Sequence, residues 1–537
     1  MPDAGTFDAV FIGAGHNGLT CAAYLAAAGK RVCMLERREV VGGAAVTETF
    51  HPGFRNSTAS YTVSLLHPKV MRDLRLAEHG LRIVERPLAN FLPLSERPGD
   101  SLAIANDVAA TQAAVAKVSM HDAQALPAYY AMIDRAAGAV RTLMLATPPA
   151  TDGGIRGLLD VWKAAKPFRA LDLPGRRDVL ALFTKSAGDV LDHWFESEPI
   201  KAAIGFDAVV GQFASPYAGG SAYLLLHYAL GQVNGKLGRW GHAIGGMGAI
   251  TQAMARECQV RGVAIRTSAP VDRVVVEHQR ATGVALANGE VVRARRVVAN
   301  VNPKLLFTRL VARDDLPADF RSRIDGYRCA SGTFRMNVAL SALPEFASQP
   351  GDGDHLRSGI VMAPSLDYME RAYFDARTHG WSRQPIVEML IPSLVDDSLA
   401  PPGAHVASLF CQHVHPELDR PLPGRTWDDA RDEVAALMID TVTRFAPNFK
   451  RSIVAHRALS PLDLEREFGL IGGDISHGVM ALDQLFSARP VLGHADYRTP
   501  IAGLYLCGAG THPGGGVSGM PGHNAAREIL RDTRRRG

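Results

Sequence analysis

The spacing of apolar residues changes along the chain, and its first section is the most regular. An apolar run at residues 9–12 stops at a glycine-containing segment, residues 13–18, and an alanine-rich helical pattern follows. A second strand-like run, residues 31–35, is apolar after Arg31 and ends at Glu36. This order predicts a strand, a tight turn, a helix and a second strand.

The middle of the chain shows helical periodicity. Apolar residues recur at steps of three and four from residue 121 to 143, and again from 178 to 195. Between them, residues 146–157 are rich in Pro and Gly and predict a loop. The residues that carry the two patterns are Leu126, Tyr129, Tyr130, Ile133, Ala137, Val140 and Leu143, then Val179, Phe183, Ala187, Val190 and Trp194.

The second half of the chain is rich in strand-like runs. An Asn288–Gly289 turn predicts a hairpin among four of these runs, and three later runs predict a second sheet. A last apolar run, residues 504–507, leads into a glycine-rich segment and then a helix. The preceding runs are residues 263–266, 271–277, 282–286 and 291–299, then 333–340, 386–391 and 406–413.

The first turn carries the chemistry of a dinucleotide site. Gly13 permits the turn, Gly15 leaves space for a pyrophosphate beside the backbone, and Gly18 allows the helix to pack on the strand. Glu36 stands where a carboxylate accepts hydrogen bonds from ribose hydroxyls. A glycine turn that binds nothing is the alternative, but the strand, helix and acid in register favour binding. Gly42 and Gly43 favour FAD over NAD.

Composition narrows the classes of protein that fit. A chain of 537 residues is too long for one core, so at least two structural domains are expected. The net charge of +4 gives no support for a nucleic-acid partner, since only the C-terminal arginines concentrate positive charge. The six cysteines form no CxxC pair, so neither a redox dithiol nor a metal site is predicted.

No apolar run reaches the length of a membrane-spanning helix. The most lipophilic stretch, residues 217–230, is short and interrupted by Gly219, Gly220 and His227, which favours a buried helix. A peripheral membrane contact stays open as an alternative. Because the first strand begins near residue 7, no signal or transit peptide is expected in this numbering, and the expected localisation is cytoplasmic.

Long motifs at both ends resemble a known group. Residues 13–68, beginning GAGHNGLTCAAYLAAAGKRV, and residues 504–522, LYLCGAGTHPGGGVSGMPG, are similar to the signatures of the phytoene desaturase and carotenoid isomerase group of FAD-dependent oxidoreductases. Residues 463–489 are also typical of that group, so the resemblance spans the whole chain.

The resemblance implies an α/β fold related to the amine oxidases. It implies a Rossmann-type FAD-binding domain assembled from residues 1–75, 240–310 and 480–537, and a mixed α+β substrate domain from 76–239 and 311–479. It further implies that the Val271 backbone holds the adenine and that a helix opening at Val517 points at the flavin pyrimidine. The motif and the resemblance together imply non-covalent FAD held by Gly13, Ala14, Gly15, Asn17, Glu36, Arg37, Gly43, Ala44, Val271, Gly508, Gly516 and Val517.

Two positions depart from relatives of this group. Many relatives carry an arginine after the double glycine, where this chain has Ala44. Amine oxidases usually carry an acid in the C-terminal turn, where this chain has Gly508, Ala509 and Gly510. The second departure favours the desaturase branch.

Three functions remain open from the sequence. The first is an FAD-dependent oxidoreductase that dehydrogenates or isomerises a small lipophilic, unsaturated substrate; the others are an oxidase of amines or alcohols and a catalytically idle, flavin-stabilised scaffold. The first predicts a largely apolar cavity over the flavin, lined by the helical block, the 217–230 stretch and the runs at 333–340 and 406–413.

Catalytic chemistry is not assigned to any side chain. His477 and His512, in glycine-containing loops, are the leading candidates, with a backbone cap as the alternative for each. His413 and His415 are weaker candidates. The sequence specifies neither the substrate, nor the electron acceptor, nor the oligomeric state.

Overall fold

A computed structural model of the chain describes residues 6–149 and 154–535. The strands, in chain order, are β1 (Ala9–Ile12), β2 (Val32–Leu35), β3 (Thr47–His51), β4 (Phe54–Ser57), β5 (Ile83–Glu85), β6 (Leu88–Pro93), β7 (Ser101–Ala105), β8 (Gln232–Val233), β9 (Lys236–Leu237), β10 (Gly241–Ala243), β11 (Ala264–Arg266), β12 (Val271–Glu277), β13 (Arg280–Leu286), β14 (Val291–Arg293), β15 (Val297–Ala299), β16 (Phe334–Leu340), β17 (Gly359–Met362), β18 (Trp381–Leu390), β19 (His405–Val414), β20 (Ile453–Leu459) and β21 (Leu504–Leu506).

The helices follow the same numbering. They are α1 (His16–Ala27), α2 (Pro68–Asp73), α3 (Val108–Val115), α4 (Met120–Met144), α5 (Gly154–Ala164), α6 (Lys166–Arg169), α7 (Leu173–Thr184), α8 (Ala187–Trp194), α9 (Glu198–Val209), α10 (Ala222–Ala229), α11 (Met247–Val260), α12 (Pro303–Leu305), α13 (Ala318–Asp325), α14 (Leu366–His379), α15 (Trp427–Phe445), α16 (Phe449–Ser452), α17 (Pro461–Phe468) and α18 (Met520–Arg535).

A five-stranded parallel sheet organises the first layer, in the order β11-β2-β1-β15-β21. Alternate side chains of β1 enter different cores, as the two-residue period of a strand requires. Ala9 and Phe11 pack with α1, α11 and α18, whereas Val10 and Ile12 pack with the small sheet β12-β13-β14. Both faces of the sheet are therefore covered, and its strands are short apolar runs.

A seven-stranded sheet forms the second layer, in the order β20-β16-β19-β18-β17-β6-β7. The predicted second sheet is confirmed in its three later runs, to which β6 and β7 add an edge from a distant part of the sequence. The helices α4, α7, α8, α9 and α10 share one apolar core with residues of this sheet such as Phe410. The predicted α/β fold class is confirmed.

Two predicted segments are divided in the structure. The run at 291–299 forms two strands, because β14 pairs with β13 while β15 pairs with β1. The helical pattern at 178–195 forms α7 and α8, and the Ser186 hydroxyl caps the second helix by accepting from the Asp189 N–H at 2.9 Å. Part of the predicted loop at 146–157 lies outside the described residues, and α5 already begins at Gly154.

The start of the last helix differs from the prediction. We expected it to open at Val517, but α18 begins at Met520. Gly519 has φ of +74°, which no helical residue adopts, so the chain turns there before the helix starts. The division of the chain into two domains stays a prediction, although the parallel sheet takes strands from all three segments assigned to the nucleotide domain.

Candidate functional site

The glycine turn after β1 closes against the end of β15. Gly13 has φ of +88°, a conformation that favours glycine. A Cβ on Gly15 would lie 2.8 Å from Asn300 Nδ2, and one on Gly18 would lie 2.9 Å from the Gly13 carbonyl oxygen. A side chain at Gly18 would displace the backbone of the turn, whereas one at Gly15 would displace the Asn300 side chain.

Glu36 ends β2 and joins the turn from the other side. Its Oε2 accepts a hydrogen bond from the Ala14 N–H at 2.8 Å, and its Oε1 accepts one from the Arg38 N–H at 3.0 Å. The side chain is buried but lines a cavity. The carboxylate therefore holds the protein's own backbone while its remaining lone pairs face open space.

The cavity has a volume of about 330 Å³ and brings together most of the predicted cofactor residues. Two predicted residues, Ala14 and Gly508, are not in its lining. Ala14 is fully buried and its N–H is used by Glu36, while Ala509 faces the cavity in place of Gly508. The predicted residues that line it are Gly13, Gly15, Asn17, Glu36, Arg37, Gly43, Ala44, Val271, Gly516 and Val517.

Five buried polar atoms of the cavity lining lack a partner within the described protein. They are Asn17 Oδ1, at the start of α1, Arg38 Nη1, Ser64 Oγ, His227 Nδ1 and His477 Nδ1. Buried polar atoms are nearly always hydrogen-bonded, so each atom indicates a ligand group that completes it. Together with the glycine turn, the free N–H groups at the α1 N-terminus and Glu36, they fit a dinucleotide with a polar ring system.

His477 is the only one of the sequence-predicted histidine candidates that lines this cavity. Burial lowers the pKa of His477 to about 3, so the ring is neutral near pH 7. The Tyr327 hydroxyl donates to the His477 carbonyl at 2.8 Å, which fixes the residue in a left-handed conformation. A neutral imidazole can position a ligand through hydrogen bonds, but a group with so low a pKa is a weak general base.

The other histidine candidates lie elsewhere. His512 Nε2 is 2.9 Å from the Leu143 carbonyl oxygen, and burial lowers its pKa to about 4. His413 is fully buried beside Phe213 and Tyr373, with both ring nitrogens unpartnered. Neither side chain reaches the cavity lining.

Arg489 fixes the loop that carries His477. Its guanidinium is completely buried and donates to the carbonyl oxygens of Ser476, Gly478 and Ala509, at 2.6, 3.3 and 3.0 Å. These contacts tie residues 476–480 to the C-terminal glycine segment. Two cavity walls distant in sequence are thereby held together.

The end of the cavity away from Glu36 has an apolar and aromatic lining. We expected residues of α4, α7 and α8 here, but those side chains form the apolar core instead. The predicted 217–230 stretch does contribute, and so does Phe410 of β19, whereas β16 does not. The apolar and aromatic lining residues at this end are Tyr61, Val210, Leu224, Tyr228, Trp240 and Phe410, and the same segments add the polar lining residues Thr62, Ser64 and His227.

Sequence reasoning missed several lining residues. Asn300 and Asn302 follow β15 directly, at the same sheet edge as Gly13, so a strand followed by amide side chains is the signal that could have found Asn300. Tyr61 follows the hairpin β3-β4, in a polar, glycine-containing segment after Gly43. Nothing in the local pattern marks Tyr61.

Comparison with known proteins agrees with this geometry. A sequence profile described as flavin containing amine oxidoreductase matches residues 18–333. The chain is 42% identical to mouse pyridine nucleotide-disulfide oxidoreductase domain-containing protein 2, over 98% of this chain and 94% of that protein.

More distant relatives cover the full chain as well. A limonene dehydrogenase polypeptide of Castellaniella defragrans is 24% identical over 99% of this chain and 96% of its own length. The lycopene-forming phytoene desaturase of Pseudescherichia vulneris is 25% identical over 95% of this chain and 96% of its own length. Putrescine oxidase, solved with putrescine bound, shares the fold with a TM-score of 0.60 and 16% identity over 99% of both chains.

These matches confirm the resemblance stated from the motifs, and the cofactor is FAD, bound non-covalently. Among the described helices, none is long and apolar enough to cross a bilayer. The chain belongs to the flavin-containing amine oxidoreductase family, and within it to the group of pyridine nucleotide-disulfide oxidoreductase domain-containing protein 2.

Proposed function

We propose that this flavoprotein dehydrogenates or isomerises a lipophilic, unsaturated substrate. The observation that carries the proposal is the group of aliphatic and aromatic side chains in the cavity lining at the end away from Glu36, namely Tyr61, Val210, Leu224, Tyr228, Trp240 and Phe410. Ligand sites with mainly apolar walls bind apolar ligands, and the few polar groups fix their orientation.

Charges in the cavity support this interpretation. Among the described lining residues, the carboxylates are Glu36 and Glu467. Glu467 precedes Phe468, whose ring lies 4.8 Å below the guanidinium carbon of Arg38, so both acids belong to the same end. The opposite end therefore offers no lining carboxylate to pair with a substrate ammonium group.

The names of the relatives point the same way. Limonene and phytoene, after which two of the full-length relatives are named, are unsaturated hydrocarbons.

We also propose that residues 1–75, 240–310 and 480–537 form the FAD domain. We further propose that Gly13, Gly15, Asn17, Glu36 and Val517 are among the residues that bind FAD.

When bound, FAD supplies a hydride acceptor at N5. The chain's own residues bind, orient and shield. The apolar wall excludes water from the reacting end, and neutral His477 offers a hydrogen bond to the bound ring system. We assign no proton-accepting residue.

Anaerobic flavin bleaching tests the proposal. The FAD-loaded protein is mixed with limonene and phytoene in one series, and with putrescine and cyclohexylamine in a second. We expect bleaching of the visible flavin band in the hydrocarbon series alone. A cell lipid extract, separated after reaction, then identifies the compound that is consumed.

The opposite results are equally informative. Bleaching by an amine, with peroxide formed when oxygen is admitted, would replace the proposal with an amine oxidase. Bleaching by an alcohol would replace the proposal with an alcohol oxidase. Isomerisation leaves the oxidation state of the flavin unchanged, so the hydrocarbons are also analysed for isomers after incubation. Protein that holds stoichiometric FAD, is bleached by none of these compounds nor by the extract, and forms no isomer would favour the scaffold.

A further inference from the structure

Two aromatic pairs line the end of the cavity that is away from Glu36. Tyr61 and Phe410 are stacked, with ring centroids 5.1 Å apart and planes at 25°. Tyr228 and Trp240 form a second pair at 5.5 Å and 36°. All four side chains line the cavity, so their rings provide a π surface for a ligand.

Each pair has an arginine in contact with a ring. The guanidinium carbon of Arg335 lies 4.6 Å from the Tyr61 ring centroid, and that of Arg86 lies 5.6 Å from the Trp240 ring centroid. Both arginines are buried, at 1% and 7% exposure, and both are outside the cavity lining. The two cations therefore approach the aromatic walls from within the protein.

Buried acids offset these cations only in part. The Tyr61 hydroxyl donates to Glu388 Oε2 at 2.5 Å, and Arg86 Nη1 lies 3.7 Å from Glu388 Oε1. Arg335 instead donates to backbone and hydroxyl oxygens, at Ala59, Leu409 and Ser408.

Asp207 is the other nearby acid, on α9. Loss of solvent raises its pKa to about 7, and the neighbouring Glu388 adds to the rise, so near neutral pH a fraction of Asp207 is uncharged. Two guanidinium groups thus face one carboxylate that binds Tyr61 and a second acid that is only partly ionised. Among the described residues Arg335 has no carboxylate partner, and Arg86 approaches Glu388 only to 3.7 Å, so neither cation is neutralised by a close ion pair.

We propose that this aromatic end is a subsite for a neutral, electron-rich π system, and that Arg86 and Arg335 make it reject ammonium groups. The inference rests on the proposed function and deepens it by naming the substrate class. A ring that already contacts a cation has less negative potential to offer a second one, and buried charges repel at longer range than exposed charges. An aromatic wall without these arginines would attract cations instead.

Two probes of the same shape isolate the charge. tert-Butylbenzene and phenyltrimethylammonium differ in one atom, carbon against nitrogen, and in one unit of charge. Their dissociation constants for the FAD-loaded protein are measured by calorimetry and by the shift of the flavin spectrum. We expect tert-butylbenzene to bind and phenyltrimethylammonium to bind more weakly. The ratio to compare among variants is the dissociation constant of phenyltrimethylammonium divided by that of tert-butylbenzene.

Variants that remove either a cation or an anion then test whether the buried charges cause the difference between the two probes. Arg335→Met removes a cation and should lower the ratio roughly tenfold, the size expected for one nearby charge in a protein interior. Glu388→Gln removes an anion while keeping the side-chain shape, and should raise the ratio. Arg335→Lys keeps the charge and should leave the ratio near that of the unmodified protein, as should Arg383→Met at the surface.

Each outcome decides the question. If Arg335→Met fails to fold, Arg86→Met and Glu388→Gln give the same comparison. An unchanged ratio in these variants, tighter binding of the ammonium probe, or no binding of either probe would overturn the subsite. If the ratios change as expected and no unsaturated hydrocarbon either bleaches the flavin or is isomerised, the proposed reaction is wrong and the subsite stands.

Discussion

The carboxylate of Glu36 accepts a hydrogen bond from the backbone N–H of Ala14, at 2.8 Å, and so joins the end of β2 to the turn after β1. The same carboxylate lines the cavity. One side chain thus stabilises the turn and faces the site where we place the ribose. Its two roles predict two separable effects of mutation.

Glu36→Ala should weaken FAD binding by about 1.5 to 3 kcal/mol, the range for hydrogen bonds that involve a charged group. It should also lower the free energy of unfolding of the FAD-free protein, because the N–H groups of Ala14 and Arg38 lose their acceptor. Flavin titration measures the first effect and chemical denaturation the second. An unchanged dissociation constant combined with lower stability would show that the acid serves the turn alone.

Gly15→Leu should give protein without bound flavin. Its Cβ would meet Asn300 Nδ2 at 2.8 Å, and the remaining side chain would enter the cavity. The matched control is Gly138→Leu, on an exposed face of α4, where a Cβ meets nothing within 4 Å. The ratio of flavin absorbance to protein absorbance checks the prediction, and full occupancy in the Gly15 variant would contradict it.

The turn and Glu36 were predictable because their signal is local. Strand, glycines, helix and acid occupy fewer than 30 consecutive positions, and each residue type has a conformational reason to be there. Strand runs such as 271–277 were equally local, and β12 has those bounds.

The aromatic end of the site was not predictable in the same way. Tyr61 and Glu388 are 327 positions apart, and they meet only because the second sheet places β18 beside the segment after β4. The start of α18 depended on the conformation of Gly519, which composition does not show. Helices α4 and α7 were predicted as helices, but which of their faces reached the cavity could not be read from periodicity, since a core face and a ligand face are both apolar.

Acid should destabilise the protein below about pH 6.5. Burial lowers the pKa of His16, His227 and His512 to about 4, and of His413 and His477 to about 3, from an ordinary value of 6.5. The unfolded chain therefore binds protons that the folded chain does not. The contribution of these neutral histidines to the free energy of unfolding is fully present above pH 6.5, and it is lost as the pH falls from there toward 3.

Each of these histidines should add a measurable slope to the dependence of the free energy of unfolding on pH. Within that window one such histidine contributes up to about 1.4 kcal/mol per pH unit to the free energy of unfolding. His413→Leu removes a ring whose nitrogens have no partner, so its stability should depend less on pH. Denaturation at several pH values, with the exposed His278→Gln as control, measures the slope; equal slopes in both variants would contradict the assignment.

Thiol chemistry should be dispensable. The side chains of Cys21 and Cys507 interact within the core, and burial raises the pKa of Cys21, which opposes formation of a reactive thiolate. Replacing all six cysteines by serine should lower stability while the flavin content and its reduction by a true substrate survive. A variant that keeps FAD and loses substrate reduction would show that a thiol takes part.

Filling the apolar end of the cavity should separate substrate binding from cofactor binding. Leu224 is buried on α10 and lines the end of the cavity to which no described carboxylate contributes. Leu224→Trp adds a large ring there, so tert-butylbenzene should bind at least tenfold more weakly, the effect of about 1.4 kcal/mol. Flavin content should be unchanged, because Glu36 and the glycine turn are untouched.

The matched control for this change is Leu224→Met, which conserves volume and should bind the probe as the unmodified protein does. Calorimetry gives the affinity, and the flavin absorbance gives the occupancy. Loss of FAD in Leu224→Trp, with the probe affinity of the remaining holoprotein unchanged, would place the cofactor rather than the substrate at this wall. The proposed order of the cavity, nucleotide at Glu36 and apolar ligand at Leu224, would then be reversed.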